Sequence, residues 1–438
     1  MALTSKRLML SGRKFLALRM ECALGGGDIH TDDESPRAQT LSLLIGAVVT
    51  AAAVGLCAAF TAWRPAEDLG EARILLADGT GALYVRVEDV VHPVLNLTSA
   101  RLITGTVDNP VVVSADALSE VKRGALLGIP GAPPVIGAPL DTEPAWTVCD
   151  DGSTTVIGGA PLTGPVDAVL AMAPSGQVYL LYDGQRARVD LTDRAVVQAL
   201  HLDSVQPARV SATLLSLLPE VAPVATPRIP DIGAHGPSAL PGFRIGDVIG
   251  VRNATQDEFF VVLAAGVQPL SPVAADIIRH TSPSAAVTMV APAALVGLPD
   301  VGVLRIGHFP RQVLRVRGAD TGVCATWYRG AADVRCGPVP LEGFPVRLAG
   351  ADGDGPHLDQ MNLPAGRYAY VRTHSGDTAG WLVTELGVRF RVDDADTARV
   401  LGLPEPVLAP AAVLDALARG PVLSRSAALL AHDTITSP

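Results

Sequence analysis

Residues Leu41 to Trp63 form a run of 23 positions without a charged side chain, and this run constrains the chain more than any other feature. It lies between Arg37 and Arg64. At about 1.5 Å per residue, a helix of this length rises about 34 Å, which is enough to cross the hydrocarbon core of a membrane. The sequence therefore predicts a single transmembrane helix over Leu41–Trp63.

The charges around this run predict its orientation. The first 20 positions contain no acidic residue and five basic ones, namely Lys6, Arg7, Arg13, Lys14 and Arg19. The positive-inside rule therefore places the N-terminus in the cytoplasm and the residues after 63 on the outer, periplasmic side of an inner membrane. A cleaved signal peptide is the alternative, but the run starts only at residue 41 and is longer than the usual signal core of about 7–15 residues.

The 40 residues before the run form a short cytoplasmic head. Its apolar residues alternate with charged ones between Arg13 and Leu24, at a spacing typical of an amphipathic helix. Such a helix lies on the lipid surface or docks on a partner protein, and periodicity does not separate these two roles. We expect Leu16, Leu18 and Leu24 to form a partner-docking face.

The outer part is acidic. The chain has a net charge of −10 at pH 7, and the head and predicted span contribute six Lys and Arg against five Asp and Glu. The residues after 63 therefore carry about −11. A nucleic-acid partner would need a basic face, and this composition predicts none. Cys149, Cys324 and Cys336 lie in the same outer part, where disulfides persist, and they allow at most one bridge with one cysteine left over.

The outer part repeats a small pattern four times, in residues 83–105, 178–200, 259–278 and 381–403. An aromatic and apolar strand is followed by a turn, a second short strand, a polar cap and an apolar helix. A short polar side chain can accept hydrogen bonds from the N–H groups at a helix start, and the residues near these starts are Asn96, Asp190, Ser271 and Asp393. Each unit is predicted to be a β-hairpin followed by a helix, too small to bury its own apolar face.

These patterns predict an α+β fold with four repeat domains around a central β-rich domain. The repeat domains are expected at 64–125, 171–218, 246–290 and 366–438, the last with the C-terminal segment. The predicted remainder is a head at 1–40, a transmembrane helix at 41–63, a Pro-rich connection at 219–245, and a central domain with its connections at 126–170 and 291–365.

No catalytic motif accompanies these units. A P-loop needs Gly-Lys followed by Ser or Thr, and none of the three lysines, Lys6, Lys14 and Lys122, follows a glycine. The sequence also lacks the His-Glu-x-x-His spacing of zinc proteases and the Gly-x-Ser-x-Gly elbow of α/β-hydrolases. We therefore expect no catalytic, cofactor-binding or metal-binding residues.

Motifs along nearly the whole chain resemble the EccB family, a membrane component of the ESX, or type VII, secretion systems of mycobacteria and related actinobacteria. In chain order they are SGRKFLALRMECAL in the head, YVRVEDVVHPVLNLTSARLITG, GIPGAP, AWTVCD, VDLTDRAV and GPVLSRSAALLAHDTI. The resemblance implies one membrane crossing and an outer part of repeat domains about a central domain. It also implies assembly with an EccC-type motor ATPase, EccD and EccE membrane subunits, a mycosin protease and further copies of itself.

The resemblance also implies a disulfide pairing. Cys149 in AWTVCD and Cys324 in GVCATW resemble the paired cysteines of the family, which implies a Cys149–Cys324 bridge and leaves Cys336 as a thiol. A Cys324–Cys336 bridge is the local alternative, because these two cysteines are close in the chain.

The expected function is that of a structural core subunit of a type VII secretion membrane complex. A nucleotide hydrolase of the same system is the first alternative, because some family members carry an ATPase label. This sequence contains no P-loop that would support that label. A membrane-anchored cell-wall-binding module is the second.

Overall fold

The computed structural model describes most of the chain. The described residues are 13–17, 19–21, 23–25, 36–62, 69–140, 143–163, 168–253, 257–282, 286–319, 322–341, 343–353, 355–373 and 380–434. The chain divides into two compact units, Met1–Gly70 and Glu71–Pro438.

The first unit is helical. Helical backbone covers 13–17, 19–21 and 23–24 in the head, and helix α1 spans Pro36–Ala62. Pro36 suits a helix start because proline has no N–H group, and the N–H groups of the first turn have no partner within the helix. Among the residues described with their side chains, which in α1 are 41–57, no helix is long and apolar enough to cross a membrane.

Four sheets of the second unit follow one chain path. Three strands form an antiparallel meander, a helix follows, a short strand pairs in parallel with the first meander strand, and, after a second helix, another short strand pairs in parallel with the third. The elements of the first sheet are β1 (Ile74–Ala77), β2 (Leu83–Val87), β3 (Val90–Pro93), α2 (Leu97–Thr104), β4 (Val111–Val113), α3 (Ala115–Ser119) and β5 (Lys122–Arg123).

The second sheet repeats this path in full. Its elements are β10 (Ala168–Met172), β11 (Val178–Tyr182), β12 (Gln185–Val189), α4 (Arg194–Ala199), β13 (Ala208–Arg209), α5 (Ala212–Leu217) and β14 (Glu220–Val224). The fourth sheet does the same with β24 (Arg367–Arg372), β25 (Gly380–Thr384), β26 (Val388–Val392), α7 (Ala395–Val400), β27 (Val407–Leu408), α8 (Ala411–Ala416) and β28 (Ala418–Arg419).

The third sheet follows the path with a reduced end. Its elements are β15 (Val248–Arg252), β16 (Asp257–Leu263), β17 (Gly266–Leu270), α6 (Pro272–Arg279) and β18 (Thr288–Val290). A 3-10 turn over Pro292–Leu295 stands where the other sheets have their second helix. A single parallel bridge between Val267 and Asp300 replaces the last strand.

The central sheet joins two distant parts of the chain, in the order β21-β20-β8-β9-β23-β22. Its strands are β8 (Ala145–Asp150), β9 (Thr154–Gly159), β20 (Val323–Tyr328), β21 (Ala331–Cys336), β22 (Val346–Arg347) and β23 (Gln360–Asn362). Short elements complete the unit, namely β6 (Leu126–Leu127), β7 (Ala138–Pro139), β19 (Val316–Arg317), α9 (Arg425–Ala428) and β29 (Ala431–His432).

Shared apolar clusters connect neighbouring sheets. One cluster holds Val148 of the central sheet with Leu181 of the second sheet and Val371 of the fourth. Two others join the second sheet to the third and the first sheet to the fourth. The first sheet therefore packs on the fourth, the fourth and second sheets share a core with the central sheet, and the third packs on the second. In the sequence, the second and third sheets are inserted between β9 and β20.

Two of the four helix caps differ from the expectation. Asn96 and Ser271 accept hydrogen bonds from Ser99 N and Ala274 N, as predicted. Helices α4 and α7, however, are capped by Asp193 and Asp394, not by Asp190 and Asp393. Asp190 comes too early for α4, which begins only at Arg194, and its carboxylate accepts the N–H of Thr192 in the preceding turn at 2.8 Å.

The observed unit is larger than the predicted hairpin and helix. The sequence pattern covers the second and third meander strands and the first helix, and it omits the first strand and the two parallel strands. Strand β14 lies inside the segment 219–245 that was predicted to be a connection. Residues 301–316, predicted to belong to the central domain, contribute apolar side chains to the cluster of the second and third sheets.

Candidate functional site

The helical head exposes the residues predicted to dock on a partner. The side chains of Leu16 and Leu24 are 59% and 89% exposed, and those of Phe15 and Met20 are also exposed. Leu18 lies outside the described residues. Large apolar side chains that gather in this way on a surface mark sites of contact with a protein or a membrane.

Helix α1 exposes apolar side chains on every side. All residues numbered 41–57 are exposed, including Leu41 at the start of the predicted span. Trp63, the predicted end of the span, lies outside the described residues. After Arg37 no charged residue interrupts the helix, so it has no polar face of the kind that a surface helix turns to water.

A disulfide joins Cys149 of β8 to Cys324 of β20, which is the pairing that the family resemblance implied. The two residues lie directly opposite each other in the antiparallel pair, and their Cα atoms are 4.0 Å apart. Cys336 pairs instead with Val323, the neighbour of Cys324. Because successive side chains on a strand point to opposite faces, Cys336 and Cys324 lie on opposite faces of the sheet, which disfavours the local alternative bridge.

The disulfide face of the central sheet carries a second cross-strand link. The hydroxyls of Thr147 and Thr326 lie 3.0 Å apart, two positions from the cysteines along each strand. The opposite face places Val148 and Ala325 in the apolar cluster shared with the second and fourth sheets. The bridge and the threonine pair therefore join β8 to β20, and the chain between these two strands contains β9 and the second and third sheets.

Asp150 fastens the central sheet to the second sheet. Its side chain is 8% exposed, one carboxylate oxygen accepts the N–H of Ser211 at 2.6 Å, and the other accepts the hydroxyl of Thr154 at 2.8 Å. Ser211 in turn caps helix α5. Burial raises the pKa of Asp150, and the hydrogen bonds from Ser211 and Thr154 offset part of this rise.

Asp359 makes a similar link between β9 and the loop before β23. Its two oxygens accept the N–H groups of Thr154 and Gly353, each at 2.7 Å. Asp150 and its partner Ser211 line a cavity of about 340 Å³, together with Arg209. Because both carboxylates are already hydrogen-bonded to the backbone, we assign them a structural role. Over the described part of the chain, no group of three or more His, Cys, Asp or Glu residues could hold a metal ion.

Sequence reasoning missed both aspartates. Asp150 lies 61 residues from Ser211, and Asp359 lies 205 residues from Thr154. No local pattern predicts such contacts, since they depend on the packing of one sheet on another.

Known sequences match the chain over almost all of its length. The profile of the family described as "Type VII secretion system ESX-1, transport TM domain B" matches residues 2–437. "ESX-3 secretion system ATPase EccB3" of Mycolicibacterium smegmatis is 35% identical over 476 residues, covering 98% of this chain and 91% of the relative. "ESX-5 secretion system ATPase EccB5" of Mycobacterium tuberculosis H37Rv is 35% identical over 484 residues, covering 98% and 94%.

Solved structures show the same fold. A chain of the intact ESX-5 inner membrane complex superimposes with a TM-score of 0.72 at 33% identity, covering 99% of this chain and 96% of that one. The EccB3 dimer from the ESX-3 core complex gives a TM-score of 0.71 at 34% identity, covering 82% of this chain and 100% of that one.

Proposed function

The chain belongs to the EccB family of type VII secretion proteins, and from that membership we propose that it is a structural core subunit of a type VII secretion complex in the inner membrane. The observation that carries this proposal is the superposition of nearly the whole chain on a chain of an intact inner membrane complex. A match of this extent includes the head, the long helix and all five sheets. It is therefore not limited to one module that unrelated proteins could share by chance.

The proposed topology is a single membrane crossing by α1, with the head in the cytoplasm and the second unit in the periplasm. Helix α1 has 27 residues, and its apolar character on all sides suits a lipid environment better than water. The basic head and the acidic outer part agree with the positive-inside rule.

The proposed role of the head is to bind the complex from the cytoplasmic side. Leu16, Leu18 and Leu24 would contact a neighbouring subunit, and the proposed neighbours are an EccC-type motor ATPase and the EccD and EccE membrane subunits. A helix with exposed leucines such as Leu16 and Leu24 is suited to lie in an apolar groove of such a partner.

The second unit is proposed to work as four repeat domains on a central domain, which contact further copies of the chain and a mycosin protease. Each sheet carries its own meander and flanking parallel strands, so each can present a separate surface while the shared cores keep their spacing. The disulfide and Asp150 hold the middle of this arrangement together.

Nucleotide hydrolysis is the second candidate, because the names of the relatives include the word ATPase. We favour scaffolding, since the features that the structure provides are packing surfaces and cross-links between sheets. If purified full chain hydrolyses ATP with magnesium above a mock preparation, and a variant at the responsible site abolishes this turnover, the scaffolding proposal has to be revised.

Affinity purification from membranes tests the proposal. Full chain with a C-terminal tag, expressed in a host that carries the other secretion subunits, should co-purify in detergent with a motor ATPase and polytopic membrane proteins as one large species on native gels. A tagged chain that lacks residues 1–40 provides the comparison for head binding. Recovery of the full chain alone, at the size of a monomer or dimer, would contradict membership of the complex.

A further inference from the structure

Residues 301–319 form a connection that we name the basic strap. It contains Arg305, Arg311, Arg315 and Arg317 and no acidic residue, although the outer part as a whole carries about −11. The strap follows the third sheet and leads to β20 of the central sheet. The outer part is therefore acidic on average but contains a local basic segment.

The strap is fixed to the sheets beneath it at several points. The side-chain amide of Gln268 accepts the N–H of Leu304 and donates to its carbonyl, both at 2.8 Å. The hydroxyl of Tyr182 donates to the carbonyl of His308 at 2.5 Å, and the N–H of Ala319 donates to the carbonyl of Gln206 at 3.0 Å. The backbone of the strap is thus held in one place across the second and third sheets.

The side chains of the strap separate into apolar inner and basic outer sets. Leu304, Ile306, Phe309, Leu314 and Val316 pack into the cluster shared by the second and third sheets. The four arginines alternate with these residues and are all exposed. Over the described residues, Arg305, Arg311 and Arg315 take part in no ion pair.

In the described part of the chain, no ion pair gives Arg305, Arg311 or Arg315 a role in the fold. Exposed like charges on a fixed backbone repel one another and contribute nothing to the apolar core beneath them. Arginine is also the side chain best suited to phosphate and carboxylate groups, because its planar guanidinium donates two parallel hydrogen bonds to them. The strap therefore has the chemistry of a surface for an anionic ligand.

Three concave surfaces lie along the strap, and one of them, of about 380 Å³, is lined by Gln268, Ser271 and Asp300 with Arg311. The other two narrow the choice of ligand. One, of about 550 Å³, is lined by the polar residues Gln185, Gln312 and His308, with Arg311 and Asp183. The other, of about 400 Å³, is lined by Ser204 and Gln206 with Arg315 and Arg317. Amides and hydroxyls suit neutral hydroxylated groups, and arginines suit anionic ones. Each of these two concavities therefore places arginine beside neutral polar residues, which suits a ligand that carries both anionic and neutral hydroxylated groups.

We propose that the basic strap binds a linear polyanion whose phosphate or carboxylate groups are separated by neutral, hydroxylated units. This activity is independent of membership in the secretion complex, since it needs only residues of the second and third sheets and the strap. It adds a ligand-binding surface to a protein whose proposed role is structural.

Binding of defined polymers to the full chain in nonionic detergent tests this proposal. The probes are poly(glycerol phosphate), polygalacturonate, poly-L-glutamate and neutral dextran, measured by biolayer interferometry at several salt concentrations. The test variant combines Arg305→Gln, Arg311→Gln and Arg315→Gln. The matched control combines Arg391→Gln, Arg419→Gln and Arg425→Gln, which removes the same charge from three exposed arginines of the fourth sheet and its C-terminal helix.

We expect poly(glycerol phosphate), polygalacturonate or both to bind in a salt-dependent way, with at least a tenfold loss in the strap variant and less than a twofold loss in the control. The polymer that binds identifies the anionic group as phosphate or carboxylate. Equal losses in both variants, no binding of either polymer, or tighter binding of poly-L-glutamate than of both would overturn the proposal. The first result would indicate a general charge effect, and the last an acidic protein as the partner.

Discussion

Cys149 and Cys324 close the chain around the second and third sheets, because their disulfide joins β8 to β20 and both inserted sheets lie between these two strands in the sequence. They are 175 residues apart in sequence. Asp150, the residue after Cys149, then binds the N–H of Ser211 within the inserted region. One covalent and one polar link therefore lie side by side at the base of the insertion.

Removing the bridge should destabilise the second unit strongly. We expect Cys149→Ala with Cys324→Ala to lower the free energy of unfolding by up to about 5 kcal/mol, since the bridge restricts a loop of 175 residues in the unfolded chain. Urea titration of the full chain in detergent, followed by tryptophan fluorescence, measures this loss. Cys336→Ala is the control and should cost much less. Non-reducing peptide mapping that links 324 to 336 would contradict the assignment.

Asp193 should contribute more to stability than Asp190, although the sequence pattern favoured the latter. The carboxylate of Asp193 accepts N–H groups at the start of α4, and it also accepts the N–H and hydroxyl of Thr226 at 2.9 and 2.8 Å. Asp193→Ala should lower the free energy of unfolding by about 1–2 kcal/mol, the usual cost of losing a helix cap. Asp190→Ala, which removes bonds to Thr192 alone, should cost less than half as much in the same urea titration.

The sequence predicted the parts of each repeat that have a local pattern. Strands such as β11 and β12 have five residues and a turn with Asp183 and Gly184 between them, so their alternation and turn are visible without a structure. Strand β13 has two residues, which is too short for any periodicity. Its position depends on pairing with β10, and the residues next to it in the sequence do not indicate that contact.

The same limit explains the features of the candidate sites that were missed. The head leucines and the apolar run are local patterns, and the disulfide came from a family resemblance. The bond from Asp150 to Ser211 needs the second sheet to pack on the central sheet. The sequence analysis did not predict the basic strap, because a net charge averages over the chain. A local count of charged residues does find it, since the 19 residues 301–319 contain no acidic residue.

The two ionisable groups Asp150 and Asp394 should give opposite pH dependences. Burial raises the pKa of Asp150 above 3.8, so its contribution to stability is complete below that value and is lost as the pH rises through the raised pKa. Hydrogen bonds from Thr397 lower the pKa of Asp394, so its contribution is present above 3.8 and is lost as the pH falls.

Unfolding free energies of the wild type, Asp150→Asn and Asp394→Asn at a series of pH values check these signs. The difference between wild type and Asp150→Asn should decrease with rising pH, whereas the difference between wild type and Asp394→Asn should increase. If both differences changed with pH in the same direction, burial would not be the main influence on the pKa of Asp150.

Single cysteines introduced for labelling should report the proposed topology. In a background from which Cys22, Cys57 and Cys336 have been removed, a membrane-impermeant maleimide should modify probes placed after Arg73 in intact cells. Probes before Arg37 should react only after the membrane is permeabilised, because the basic head is expected to stay in the cytoplasm. Labelling of both sets in intact cells, or the reverse pattern, would exclude a single crossing in this direction.

The head leucines should be needed for assembly and not for folding. Leu16→Asp, Leu18→Asp and Leu24→Asp together place three charges on the predicted docking face of the head, so the variant should lose at least nine-tenths of its co-purifying subunits. Leu386→Asp, Leu429→Asp and Leu430→Asp form the matched control, since these leucines are exposed in the second unit. Both variants should keep the Cys149–Cys324 bridge and the urea midpoint of the second unit. If the head variant still co-purifies with the complex at native stoichiometry, the docking contact lies elsewhere in the chain.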